Sequence, residues 1–101
     1  MIKVSINRRN GFIYRFKVIS HGDPIVCAGV SALVISTVNF IKSELKAKSQ
    51  LKYEHEGGMI EFAVIDSRND ATALLLKHML FGLEQIQQTH PNDIRIKINE
   101  D

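Results

Sequence analysis

Pro24-Ile25-Val26-Cys27-Ala28-Gly29-Val30-Ser31-Ala32-Leu33-Val34-Ile35 is the stretch at which the chain changes its period. Before it, apolar residues alternate with polar ones. From Ile25 to about Lys48 they recur at helical spacing, as Val26, Val30, Leu33, Val34, Val38, Ile41 and Leu45. Asp23 suits the N-cap of this helix, and Pro24 suits its first turn, where a backbone N–H has no intrahelical partner to lose. The first turns are apolar on nearly every side, so the helix is expected to be buried within the domain or against a partner.

Working outward toward the N-terminus, Met1 to Asn7 alternates through Ile2, Val4 and Ile6. Phe12 to Ile19 does the same through Phe12, Tyr14, Phe16 and Val18. Arg8-Arg9-Asn10-Gly11 between them reads as a hairpin turn. Ser20-His21-Gly22-Asp23-Pro24 breaks the alternation and is a loop. On the other side of the helix, Leu51 to His55 and Met59 to Ile65 read as strands, with Gly57-Gly58 at a tight turn. Asp66-Ser67-Arg68-Asn69 opens a second helix, from about Asp70 to Thr89. Its expected inward stripe is Leu75, Met79, Leu83 and Ile86, flanked by Leu76 and Leu80. Pro91 follows its end, and Asp93 to Ile98 alternates as a last strand. The order is ββαββαβ. The natural solution is an α+β, two-layer domain over residues 1–101: a mainly antiparallel sheet with both helices on one face.

Composition narrows the function. The chain has 101 residues, 45% of them apolar and 24% charged, as in an ordinary soluble protein. One modest core fits this length, and a dimer interface would add to it. The net charge of +2 and the lack of a Lys/Arg run give no reason to expect direct nucleic-acid contact. No apolar run is read as a membrane span, and the alternating N-terminus lacks a signal-peptide core. A reducing cytoplasm is therefore expected, where the lone Cys27 stays a thiol. One cysteine forms no internal disulfide. No His/Cys set has zinc-site spacing, so neither metal nor other cofactor is expected.

The chemistry centres on Cys27. A lone cysteine is ordinarily a small buried hydrophobe. This one lies three residues after Pro24, in a first helical turn, where the positive end of the helix dipole favours thiolate. A loop histidine folded over that turn can reach the sulfur, so His21, six residues upstream, is the candidate base of a nucleophile–base pair. Ser31 lies one turn after Cys27 on the same face, where it either bonds a backbone carbonyl or packs. The other candidates have plainer readings. His55 adjoins a turn, His90 a helix end, and His78 is expected to be semi-buried. Asp66 and Asp70 suit a helix start, and Glu54, Glu56 and Glu61 are expected to face solvent.

The run Ile25-Val26-Cys27-Ala28-Gly29-Val30-Ser31-Ala32-Leu33, with Val38-Asn39, resembles the signature helix of the ribosomal-processing cysteine protease family (Prp). The opening hairpin, Glu56-Gly57-Gly58, the helix ending Leu83-Glu84-Gln85-Ile86 and the strand at Asn92-Asp93-Ile94-Arg95 are similar to that family too. The resemblance implies a cytoplasmic bacterial endopeptidase that removes an N-terminal extension from large-subunit ribosomal protein twenty-seven. It also implies an α+β fold, a homodimer, and a Cys–His dyad without a metal. Cys27 matches the family nucleophile, and Ser31 a recurring serine.

The chain departs from the family in the loop before Cys27. There a Gly-His-Ala motif carries the catalytic histidine, with a longer segment before the cysteine than the Gly22–Val26 stretch found here. Counted from the N-terminus, Ser20-His21-Gly22 falls on that motif. Counted back from Cys27, His21 falls on a second family histidine. Both registers stay open. The family's usual aspartate three residues before the cysteine is replaced by Pro24, with Asp23 one earlier.

The expected site is thus Cys27 and His21 as catalytic pair, with Gly22, Asp23 and Ser31 on the substrate side. Backbone amides at the helix N-terminus are the expected oxyanion donors. The competing reading is a non-catalytic, ribosome-associated dimeric binding module of the same fold.

Overall fold

In the computed structural model, residues 1–54, 56, 58–65 and 69–101 are described. Their element order is β1 (Ile2–Arg9), β2 (Phe12–Ile19), α1 (Pro24–Ser43), β3 (Ser49–Glu54), β4 (Met59–Val64), α2 (Asp70–Thr89) and β5 (Ile94–Glu100). This is the ββαββαβ order that the periodicities predict. The readings of His55, Gly57 and Asp66 fall outside the described residues. The five strands form one sheet in the order β3-β4-β2-β1-β5. Only the β1–β5 pair is parallel; β1–β2, β2–β4 and β3–β4 are antiparallel.

The first hairpin turns at Asn10 (φ 52°) and Gly11 (φ 79°). Two successive left-handed residues make the mirror-image turn whose twist suits a two-residue hairpin. Past the turn the expected alternation fails once. Ile13 is buried with Phe16 and Val18, whereas Phe12 and Tyr14 are only half-buried. Asn7 pairs with Arg15 but Arg8 pairs with Ile13, so Tyr14 is an extra residue in β2. A bulge of this kind flips the parity of everything beyond it.

One face of the sheet makes the core. Ile2, Val4 and Ile6 of β1, Phe16 and Val18 of β2, Ile60 and Phe62 of β4 and Ile94 of β5 are all buried there. Phe16 and Phe62 are cross-strand partners with ring centroids 5.7 Å apart. Both helices contribute to this same cluster, so they cover the same face. Val26, Val30, Val34, Thr37, Val38 and Ile41 of α1 are buried. α1 ends at Ser43, short of Lys48. Its last turn folds back, the Glu44 and Leu45 amides both donating to the Phe40 carbonyl, and Lys46 then adopts φ 52°. That left-handed residue stops the helix and starts the chain toward β3. α1 also corrects an expectation: its 20 residues are long and apolar enough to cross a membrane by length and composition. Its buried stripe instead packs into the two-layer core.

α2 is capped by Asn69, whose Oδ1 accepts from the Ala71 and Thr72 amides at 2.8 and 3.3 Å. Its inward face is Thr72, Leu76, Met79, Leu80 and Leu83, with Leu75 and Ile86 half-buried at its margin. The stripe is therefore rotated from the expected one, because α2 packs against α1 as well as the sheet. The helices come so close that a Cβ on Gly82 would lie 2.7 Å from a Leu33 methyl. The rotation turns His78 outward, and it is exposed rather than semi-buried. Glu54 and Glu56 are exposed as expected, but Glu61 is not free in solvent. It is half-buried and hydrogen-bonded to the Arg15 guanidinium, which holds its carboxyl below the usual value.

Candidate active site

Cys27 owes its place to Asp23. The Asp23 Oδ1 accepts from the Ile25 and Val26 amides at 2.9 and 3.1 Å, and its backbone carbonyl accepts from the Cys27 amide at 2.9 Å. Pro24 stands at the first helical position, as predicted. The cap fixes where α1 begins and hence the face on which Cys27 emerges. Cys27 is half-buried, packed against the core along one side. Ser31, one turn on, is half-buried as well. The Thr37 and Ser43 hydroxyls donate to the carbonyls four residues back, at 2.8 and 2.7 Å. The Ser31 hydroxyl makes no such bond among the described residues.

The cap changes the expected electrostatics. Ile25 and Val26 give their amides to a carboxylate, Cys27 gives its amide to a carbonyl, and Pro24 has none. The helix N-terminus thus presents no unpaired first-turn amide to an oxyanion. Its amides become donors only if Asp23 releases them. This corrects the expectation that they stand ready.

The loop before the helix is held at its start. The Ser20 amide donates to the Gly58 carbonyl at 2.8 Å. Gly58 has φ +61°, and a Cβ there would sit 2.8 Å from the Ser20 carbonyl oxygen. Glycine is needed at this position twice over, for its backbone angle and for the close approach. The second hairpin thereby positions the residue next to His21. Gly22 is less constrained: a Cβ would lie 3.7 Å from the Met1 backbone, an ordinary contact. His21, Gly22 and Asp23 are exposed. No hydrogen bond joins the His21 ring to the Cys27 sulfur among the described residues. Also among the described residues, no three His, Cys, Asp or Glu side chains converge as metal ligands would.

Gly58→Ala is expected to destabilise the fold by about 1–3 kcal/mol, the usual range for a strained left-handed residue. For a domain of this size that lowers the melting temperature by roughly 4–8 °C per kcal/mol. Thermal unfolding followed by circular dichroism measures it, and an unchanged midpoint would show that the clamp on Ser20 is not tight.

Beside the cap, α1 leaves large apolar side chains in solvent: Ile25 is 81% exposed, Ile35 39% and Phe40 47%. Ile35, Val38, Leu51, Tyr53 and Ile60 line an apolar groove of ≈180 Å³ between α1 and β3.

Comparison with known proteins gives a consistent picture. The family model described as cysteine protease Prp matches residues 1–95. The ribosomal processing cysteine protease Prp of Staphylococcus aureus is 33% identical over 76 residues, 75% of this chain and 72% of that protein. A crystal structure of the Staphylococcus aureus protease Prp with a covalently linked product peptide superposes with a TM-score of 0.91. It is 30% identical and covers 98% of this chain and 100% of that one. A second, with a substrate peptide, gives a TM-score of 0.90 at 27% identity, again over 98% and 100% of the two chains.

Proposed function

The chain belongs to the cysteine protease Prp family, and we propose that it is a cysteine endopeptidase in which Cys27 and His21 form the dyad. Its substrate in this reading is the N-terminal extension of large-subunit ribosomal protein twenty-seven. The observation that carries the reading is the relative captured with a covalently linked product peptide on the same fold. Covalent catalysis needs a nucleophile, and this chain has one thiol, on the first turn of α1.

The substrate tail lies extended beside α1, against Gly22 and Asp23, with Ser31 on the far side of the sulfur. The Cys27 thiolate attacks the scissile carbonyl carbon. The C–N bond breaks, and the His21 imidazolium gives its proton to the leaving amine. Water then takes the place of the amine. His21 accepts a proton from it as it attacks the thioester carbon, the C–S bond breaks, the carboxylate product leaves, and Cys27 is regenerated beside the His21 imidazolium, the acid's proton passing to solvent. The His21 loop closes onto the sulfur when substrate binds, since catalytic hydrogen bonds tighten in the complex. The reaction is assigned to the cytoplasm, where a lone thiol stays reduced. The test is incubation of the purified chain with a peptide spanning the extension junction. One clean cut, giving a new N-terminus at the mature protein's start, supports the reading, and an intact peptide contradicts it.

The same reading takes the molecule as a homodimer. Ile25, Ile35 and Phe40 on α1, with Leu51 and Tyr53 on β3, are large apolar side chains open to solvent. A two-fold contact through the groove at Ile35, Leu51 and Tyr53 buries part of that surface. Sedimentation equilibrium at micromolar concentration is expected to give twice the 11.4 kDa chain mass. A monomer throughout would contradict it.

A further inference from the structure

The net charge of +2 conceals a segregation that appears only once the strands are placed side by side. The face of the sheet away from the helices carries Lys3 from β1, Arg15 and Lys17 from β2, Lys52 from β3, and Arg95 and Lys97 from β5. Among the described residues the carboxylates on it are Glu54, Glu61 and, just beyond β5, Asp101, which is hydrogen-bonded to Arg9 and Tyr14. Glu61 is already committed to Arg15. The rest of the chain is net negative. Lys3 sits directly opposite Arg95, and Ser5 opposite both Lys97 and Lys17. Lys3, Lys17, Arg95 and Lys97, with Ser5, Val4 and Ile19, line a groove of ≈310 Å³ that has no carboxylate in its wall. All four cations are exposed, and none is in a salt bridge among the described residues. Side chains two apart on one strand are about 6.6 Å apart and adjacent strands about 4.8 Å apart. Like charges are therefore crowded in this groove, where Lys17 alone has a carboxylate, Glu61, as a cross-strand partner.

The geometry points to this open sheet face as a docking surface for the phosphate backbone of RNA. Three of the four groove cations are lysines, which are depleted in protein–protein interfaces and are common phosphate contacts. No aromatic side chain lies among the groove residues to stack a base, so recognition is by backbone charge and shape rather than sequence. The face is broad and has no helix or ribbon to enter the major groove of B-DNA. A wide, shallow A-form minor groove suits it better. The choice of RNA over other polyanions rests also on the proposed ribosomal function; the phosphate-binding face itself does not.

The test is fluorescence anisotropy of a short labelled RNA duplex titrated with the full chain across a range of salt. The Lys3→Gln/Lys17→Gln/Lys97→Gln variant is expected to bind at least about tenfold more weakly at low salt. The slope of log affinity against log salt should fall by about 3, one for each phosphate left without its lysine. Lys42→Gln/Lys46→Gln/Lys77→Gln removes the same charge from outside that face and should stay within about twofold of the unaltered chain. Cys27→Ala should bind RNA as the unaltered chain does, and the sheet-face variant should still cut a short peptide. Failure of the protease reading is thus read separately from failure of this one. Equal weakening by both triple variants, or no salt-dependent binding, would overturn the proposal. Tighter binding of the matching DNA duplex, or displacement of RNA by polyglutamate at equal charge, would overturn the assignment to RNA.

Discussion

Cys27→Ala is expected to leave a folded chain that no longer cuts the extended ribosomal-protein tail, with kcat/KM lowered by about 10⁴-fold or more. Both halves of that expectation follow from where the residue sits. Cys27 is half-buried on α1 and packs one side against the core. Alanine keeps the helix propensity and loses only one sulfur from a site already open to solvent, so the stability change is about 1 kcal/mol or less. The cap is untouched, because Asp23 holds the Cys27 amide through the backbone. The chemistry has no such tolerance, since the chain has no second thiol to take over. Circular dichroism and peptide cleavage together read the outcome. A folded variant with undiminished cleavage would remove Cys27 from the mechanism.

His21→Ala is the second large effect. Loss of a general acid–base group lowers the rate by about 10²–10⁴-fold, and here it should do so with the fold unchanged. His21 is exposed, and its loop is anchored at Ser20 rather than through the histidine ring. In the proposed dyad His21 and Cys27 act as a unit, so the double variant should be no slower than Cys27→Ala alone. A pH–rate profile adds a readout that a structural role would not move: the limb due to the imidazole should vanish in His21→Ala. Full activity in this variant would mean that another group carries the proton, and would assign His21 to the second of the two family registers.

What was legible in the sequence was local. Asp23 and Pro24 start α1, Asn10-Gly11 turns the first hairpin, and α2 has the bounds its period predicts, because caps, turns and helical spacing are decided by residues a few positions apart. The misreadings came from longer range. Tyr14 faces outward because β1 and β2 slip register at Asn7, which depends on how two strands pair. His78 faces solvent because α2 is rotated by its contact with α1, where Gly82 admits Leu33. The site was legible in the same proportion. Cys27 stood out as the lone thiol of a first turn, and Asp23 as its cap. That the cap occupies the amides an oxyanion would use is decided by three-dimensional placement. So are the clamp between Gly58 and Ser20, and the pairing of Lys3 with Arg95, and of Ser5 with Lys97, across the parallel first and last strands.

The central claim is that the Cys27 sulfur forms the covalent bond with the substrate carbonyl. It is tested most directly by treating the chain with a peptide halomethyl ketone that carries the tail sequence before the cut, then measuring intact and digested masses. One adduct per chain, on Cys27 and prevented by excess uncut peptide, is the predicted result. No adduct, or an adduct on any other residue with Cys27 left free, would contradict the account.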